Sequence, residues 1–214
     1  MSGNKRLRPA VEKLLDWVYP PSCPGCGGDG YGFCSVCRQS LQTQHRRLGE
    51  AVDVYAAGLY ERELRRALLQ MKMDGYTYLS YALADLMAAA LPPHLHEIPA
   101  AAVPMPPSPQ RLRRRGFHCP FLLAKAAARR IDTLVYRPDL LSLARSLGEQ
   151  KKLSRAERFA NVKDAYRAGA ADGLYILLID DVMTTGASIS EAAGALYGSG
   201  ALKVDALVLA VRDC

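Results

Sequence analysis

The apolar positions of this chain change period as the sequence proceeds, and each change marks an element. Val11, Leu14, Leu15 and Val18 recur at helical spacing. Residues 52–60 carry an apolar run with strand character. Residues 61–73 return to helical spacing, with Leu64, Leu68 and Met71 on one face. A second helix spans 78–91 and stops before Pro92 and Pro93. A short strand at 100–105 leads into a Pro-rich, Arg-rich loop at 106–116, then a helix at 117–131 and a strand at 140–143. Residues 154–164 have helical character, with Ser154 and Glu157 spaced as a capping box. Six consecutive apolar residues, 174–179, predict a strand buried on both faces. Residues 188–197 form a helix ended by Gly198 and Gly200, and 204–211 the last strand. Strands alternating with helices predict an α/β domain with a mostly parallel sheet.

The buried run 174–179 ends in two adjacent aspartates, Asp180 and Asp181. In open parallel sheets, ligands bind at the carboxyl ends of strands. Neighbouring carboxylates repel, so the pair needs a counterpart, which sugar hydroxyls or hydrated Mg2+ can provide. Thr184, Thr185, Gly186, Ala187 and Ser188 follow. Small, hydroxylated residues at the start of a helix let amides and hydroxyls donate to a phosphate. The carboxylates then face ribose hydroxyls while the loop holds the phosphate.

Four of six cysteines, Cys23, Cys26, Cys34 and Cys37, fall in one Gly-rich stretch as two Cys-x-x-Cys pairs seven residues apart. Such pairs point sulfurs at one ion, and four thiolates make a closed, structural Zn2+ site. Disulfides and a redox pair are the alternatives, and paired knuckles favour zinc. A module over residues 1–45 and a domain over 46–214 follow from this spacing.

Charge sharpens this picture. The net charge is +7, yet residues 108–158 alone hold thirteen Lys/Arg against four acids, a surplus of nine. A local basic field of this kind attracts phosphates, of a small ligand or of nucleic acid. Arg113 and Arg115 lie in the loop after the 100–105 strand and belong to this basic field. Residues 148–161, with Arg155 and Arg158, have the length and polarity of a mobile lid. No apolar run reaches the roughly 18 residues of a membrane span. The N-terminus, with Glu12 and Asp16 breaking its apolar segment, does not read as a signal peptide, so a cytoplasmic protein is expected.

Residues 176–188 resemble the phosphoribosyl pyrophosphate (PRPP) signature of type I phosphoribosyltransferases at every position. That resemblance implies ribose 2- and 3-hydroxyl contacts by Asp180 and Asp181, and PRPP contacts along Val182, Met183, Thr184, Thr185, Gly186, Ala187 and Ser188. The whole chain resembles the ComF family (ComFC and GntX-like proteins). The matches are Tyr19-Pro-Pro-Ser-Cys-Pro-Gly-Cys, Cys34-Ser-Val-Cys, Lys72, Val103-Pro-Met-Pro, Arg115-Gly-Phe, Gln150, Leu153-Ser-Arg-Ala-Glu-Arg and Asn161-Val. The family usually has Asn-Gln where this chain has His118-Cys119. The resemblance implies a type I phosphoribosyltransferase fold with a small zinc-ribbon-like module. It also implies Mg2+ with PRPP, and Lys72, Arg113, Arg115, Gln150, Arg155 and Arg158 as pyrophosphate or lid residues. Further, it implies a role in natural transformation, handling incoming single-stranded DNA beside a helicase-like competence ATPase.

Three functions stay open from sequence. One is a pyrophosphate-releasing transferase, for which no general base is recognisable. Another is a DNA-handling protein that keeps a PRPP site, and the third is a nucleobase-salvage enzyme.

Overall fold

The computed structural model describes residues 22–30, 32–107, 109–144 and 164–212. The helix at Val11–Val18, the capping box of Ser154 and Glu157, the lid residues Gln150, Arg155 and Arg158, and Cys214 lie outside these residues.

A six-stranded sheet runs β1-β2-β8-β7-β3-β4, with β1 (Gln44–Leu48) antiparallel to β2 (Val52–Leu59) and all other neighbours parallel. The parallel strands are β3 (Ala100–Pro104), β4 (Leu134–Tyr136), β7 (Tyr175–Met183) and β8 (Lys203–Val211), besides β2. A separate antiparallel ribbon pairs β5 (Leu141–Leu143) with β6 (Tyr166–Ala168). The mostly parallel α/β architecture expected from the sequence is therefore present.

The sheet has a helical layer on each face. On one face lie α2 (Arg62–Met73), α3 (Leu79–Ala90) and α5 (Cys119–Arg130), whose buried Leu64, Leu68, Leu83 and Leu123 pack over Leu177 and Ile179. On the other, Ile189, Ala192, Ala193 and Leu196 of α6 (Ala187–Gly198) pack over Ile176 and Leu178. Alternate residues of β7 thus enter opposite cores, which is why its sequence is apolar without alternation. From Val204 onward β8 is as apolar except for Asp205, which is fully buried. Its carboxylate accepts from the Tyr175 hydroxyl (2.7 Å) and the Asp53 amide (3.2 Å) and pairs with Lys203 (2.8 Å), so the charge is compensated.

The helix α2 follows its sequence pattern closely. Leu64, Ala67, Leu68 and Met71 recur at i, i+3, i+4 and i+7, and all are fully buried. The short α1 (Ser35–Ser40) belongs to the cysteine segment, and Cys23, Phe33 and Cys37 join the same buried cluster as α2.

One expectation is corrected. Residues 106–116 are not all loop, because Pro109–Arg115 forms the helix α4. Proline is well placed in a first helical turn, and Gln, Leu and Arg are good helix formers. Gly116, at φ 72°, takes the left-handed conformation that ends it, and its amide donates to the Leu112 carbonyl (2.8 Å). The next helix consequently starts at Cys119 rather than 117. The 140–143 strand forms at 141–143, in the ribbon rather than the main sheet.

Candidate phosphate site and cysteine centre

β3 and β7 are neighbours, yet the chain leaves them in opposite directions. From β3 it passes through α5 to β4 on one side, and from β7 through α6 to β8 on the other. The crevice outside such a switch point is where α/β sheets bind ligands. Two loops open there, the one after Pro104 and the one after Met183. They start side by side, with the Met105 amide donating to the Ile179 carbonyl (2.9 Å).

Asp180 and Asp181 remain within β7, so their side chains leave on opposite faces. Asp180 turns one oxygen back to the Asp181 amide (2.8 Å). Asp181 points to the α2 face, where Lys72 in the last turn of α2 meets it at 2.7 Å. Both side chains are largely enclosed, 15% and 17% exposed. The counterpart that the carboxylate pair required is thus partly supplied by the protein itself. Burial acts to lower the Lys72 pKa, but Asp181, with Cys119 and Asp180 adding to it, holds it above the ordinary lysine value.

Cys119, of the His118-Cys119 pair that stands in place of the usual Asn-Gln, also belongs to this corner. It is buried at the first position of α5, and its pKa is pushed up to about 11. Burial is the main cause, and Asp181 and Asp180 add to it against Lys72 and Arg115. His118 precedes it at the helix N-cap position, and its ring packs edge-on to Phe121 at 5.2 Å. Arg115 is half-buried, whereas Arg113 is exposed on α4.

The loop after Met183 ends at Gly186, the N-cap of α6, with φ 77°. The Thr185 hydroxyl accepts from the Ala187 amide (3.4 Å), and the Ser190 amide makes the first helical bond to Gly186 (2.9 Å). The first-turn amides of any helix lack intrahelical acceptors, so they face the loop as donors. A Cβ on Gly186 would stand 2.6 Å from Leu48 Cδ2. Gly186→Ala is therefore expected to destabilise the chain by about 2 kcal/mol, from the left-handed conformation and overpacking together. In a Leu48→Ala background the penalty should fall toward roughly 1 kcal/mol, the conformational part alone. Urea unfolding measures both, and equal midpoints for wild type and Gly186→Ala would contradict the argument.

The four thiols of Cys23, Cys26, Cys34 and Cys37 lie within 4.8 Å of one another. Tetrahedral Zn–S bonds near 2.3 Å place sulfurs about 3.8 Å apart. Cys26 Sγ and Cys34 Sγ stand at 3.8 Å. Amides of Gly28, Cys34 and Cys37 each point at a cysteine sulfur at 3.4 Å, as thiolate ligands require. Burial tends to raise the Cys23 pKa, but amides of Cys26, Cys34 and Gly25 bring it down to about 6. Burial and the surrounding thiols push Cys37 up. A divalent cation reverses the second effect, and the donor set suits zinc. No disulfide joins the described cysteines. The segment rests on α2: Arg66 donates to the Gly25 carbonyl (3.4 Å), and Gly25 abuts Glu63.

Residues 14–49 match the double zinc ribbon domain family. With the four clustered thiols, that match supports a structural zinc ion. Among the described residues no helix is long and apolar enough to cross a membrane. A solved structure of phosphoribosylpyrophosphate synthetase from Mycobacterium smegmatis aligns at 18% identity and a TM-score of 0.33. The alignment covers 63% of this chain, which spans about a third (33%) of that one. Competence protein F of Haemophilus influenzae is 24% identical over 189 residues, 79% of this chain and 81% of that protein. DNA utilization protein YhgH of Salmonella typhi is 28% identical over 194 residues, 85% of this chain and 80% of that one. Across about four-fifths of its length, the chain is a homologue of competence protein F and of the YhgH proteins.

Proposed function

We propose that the chain is a phosphoribosyltransferase-like protein that binds PRPP with Mg2+ and serves DNA uptake or utilisation in the cytoplasm. Residues 1–45 are its zinc module and 46–214 its PRPP domain. The observation that carries this reading is the thirteen-residue signature at the C-terminal edge of β7, beside the sheet's switch point. In it, Thr184 to Ser188 hold the 5-phosphate at the start of α6. Asp180 and Asp181 take the ribose hydroxyls. Lys72, Arg113 and Arg115, with Gln150, Arg155 and Arg158, face the pyrophosphate. The names of the relatives, a competence protein and DNA utilization proteins, support the DNA half of the reading. Its proposed partner is incoming single-stranded DNA, handled beside a helicase-like ATPase.

Calorimetric titration with PRPP and Mg2+ tests it. The expected result is saturable binding that Asp180→Asn/Asp181→Asn weakens by on the order of a hundredfold, since each charged acceptor is worth roughly 1.5–3 kcal/mol. An absence of heat with the wild type, or equal affinity in the double variant, removes the PRPP site.

A further inference from the structure

Among the described residues, every exposed tyrosine lies between positions 76 and 81. Tyr76 is 44% exposed, Tyr78 66% and Tyr81 53%, and Met73 beside them is 67% exposed. The other described tyrosines, Tyr55, Tyr60, Tyr136, Tyr166, Tyr175 and Tyr197, are all at least partly covered. Rings left in water forgo the free energy of burial, and clustered apolar surface of this kind marks an interaction site.

These rings are held in place. The Tyr76 amide donates to the Gln70 carbonyl (3.4 Å), so Tyr76 folds back onto the last turn of α2, which carries Lys72. The Tyr76 and Tyr78 rings lie 5.7 Å apart. Tyr78 and Tyr81 are three residues apart at the start of α3, on one side of the helix. Arg129, in the last turn of α5, donates to the Tyr81 hydroxyl and sits 5.9 Å from its ring centre. Fixed rings lose little conformational entropy when a planar group stacks on them.

Cations flank the rings. Next to Arg129 is Arg130, paired with Asp85 at 2.7 Å. Arg130 and Asp85 line a groove of about 510 Å³ floored by Ala88, Ala89 and Leu91, and Arg38 of α1 lines it too. Tyr78, Tyr81, Asp85 and Ala88 recur along one side of α3, so that side carries both the rings and the wall of the groove that Arg38 also lines. A protein that tracks single strands needs this pairing, because unpaired bases offer free π-faces and the backbone offers anions. In a duplex the base faces are covered by their neighbours.

We propose that Tyr76, Tyr78 and Tyr81, with Arg129, form a stacking platform for the bases of single-stranded DNA. The strand's backbone continues along the groove between Arg130 and Arg38. This rests on the DNA-handling part of the proposed function and assigns it a surface.

Fluorescence anisotropy with labelled oligothymidylate tests the platform. Wild type is expected to bind, more weakly as salt rises. Tyr76→Ala, Tyr78→Ala and Tyr81→Ala should each cost on the order of tenfold, the scale of base–aromatic stacking. The corresponding Phe substitutions should retain binding. A strand of abasic sugar-phosphate should bind weakly and ignore the substitutions. The PRPP titration and the unfolding curve of the triple Ala variant should match wild type. If wild type binds the oligonucleotide and the triple variant binds equally well, the platform is wrong while DNA handling stands. An equal loss on the abasic strand reduces the surface to its charges and overturns the proposal. No oligonucleotide binding by wild type overturns both, whatever the PRPP result. Binding of an acidic peptide instead, lost in the triple Ala variant, reassigns the face to a protein partner.

Discussion

Cys37→Ser is expected to leave the chain without bound zinc and to lower its unfolding temperature by about 10 °C or more, since each kcal/mol shifts the midpoint of a chain this long by roughly 2–4 °C. Structural zinc in small thiolate sites contributes apparent free energies on the order of 10 kcal/mol, comparable to the whole stability of a domain. Cys37 is also buried at 3% exposure in the cluster that contains Leu64 and Leu68. Losing the ion therefore frees the cysteine segment and uncovers one side of α2 at once. Hydrogen exchange should quicken first in the cysteine segment and in the α2 turns around Glu63 and Arg66, which touch Gly25. Metal content by mass spectrometry and a thermal melt check the result together. A variant that keeps one zinc per chain and melts with wild type would show that the ion does not depend on this thiol.

How much of this was legible beforehand follows from the range of the interactions involved. The strand-loop-helix at residues 176–188 is local, so its apolar run, carboxylates and glycine signalled both element and place. α2 announced itself through Leu64, Leu68 and Met71, because its burial comes from one face alone. β1 was silent: Gln44–Leu48 reads Gln-His-Arg-Arg-Leu, and a strand at the sheet's edge with both faces largely wet shows no alternation. β4 has three residues with Val135 exposed, too short for any period to show. α4 was hidden by Pro106, Pro107 and Pro109, which suggest a loop unless the last is recognised as standing in a first helical turn. In the site, the need of Asp180 and Asp181 for a counterpart was readable from charge. Its identity was not, because Lys72 reaches Asp181 only once the order of the strands is known. Cys119 is the same case, a residue whose chemistry is set by neighbours distant in sequence.

Lys72→Met is expected to destabilise the folded chain by about 2–3 kcal/mol near neutral pH. Removing one partner of an enclosed ion pair leaves the other charge uncompensated, which costs roughly 3–5 kcal/mol when both are fully buried. Here some solvent reaches each side chain, so the lower end applies. Methionine keeps the length and the apolar stem, so the loss reports the charge rather than a cavity. Asp181→Asn placed on top of Lys72→Met should recover most of the loss, because an amide needs no cation. The double-mutant cycle then isolates the pair. The pH dependence has a definite sign. The Lys72 pKa is higher in the folded chain than its ordinary 10.5. Its stabilising contribution is accordingly complete below pH 10.5 and fades as pH rises through the folded value. Wild type and Lys72→Met should therefore differ most in urea midpoint from pH 7 to 10 and converge in stronger alkali. A gap that stays the same from pH 7 into stronger alkali would mean that packing of the lysine stem, and not its charge against Asp181, holds the end of α2 to the strand.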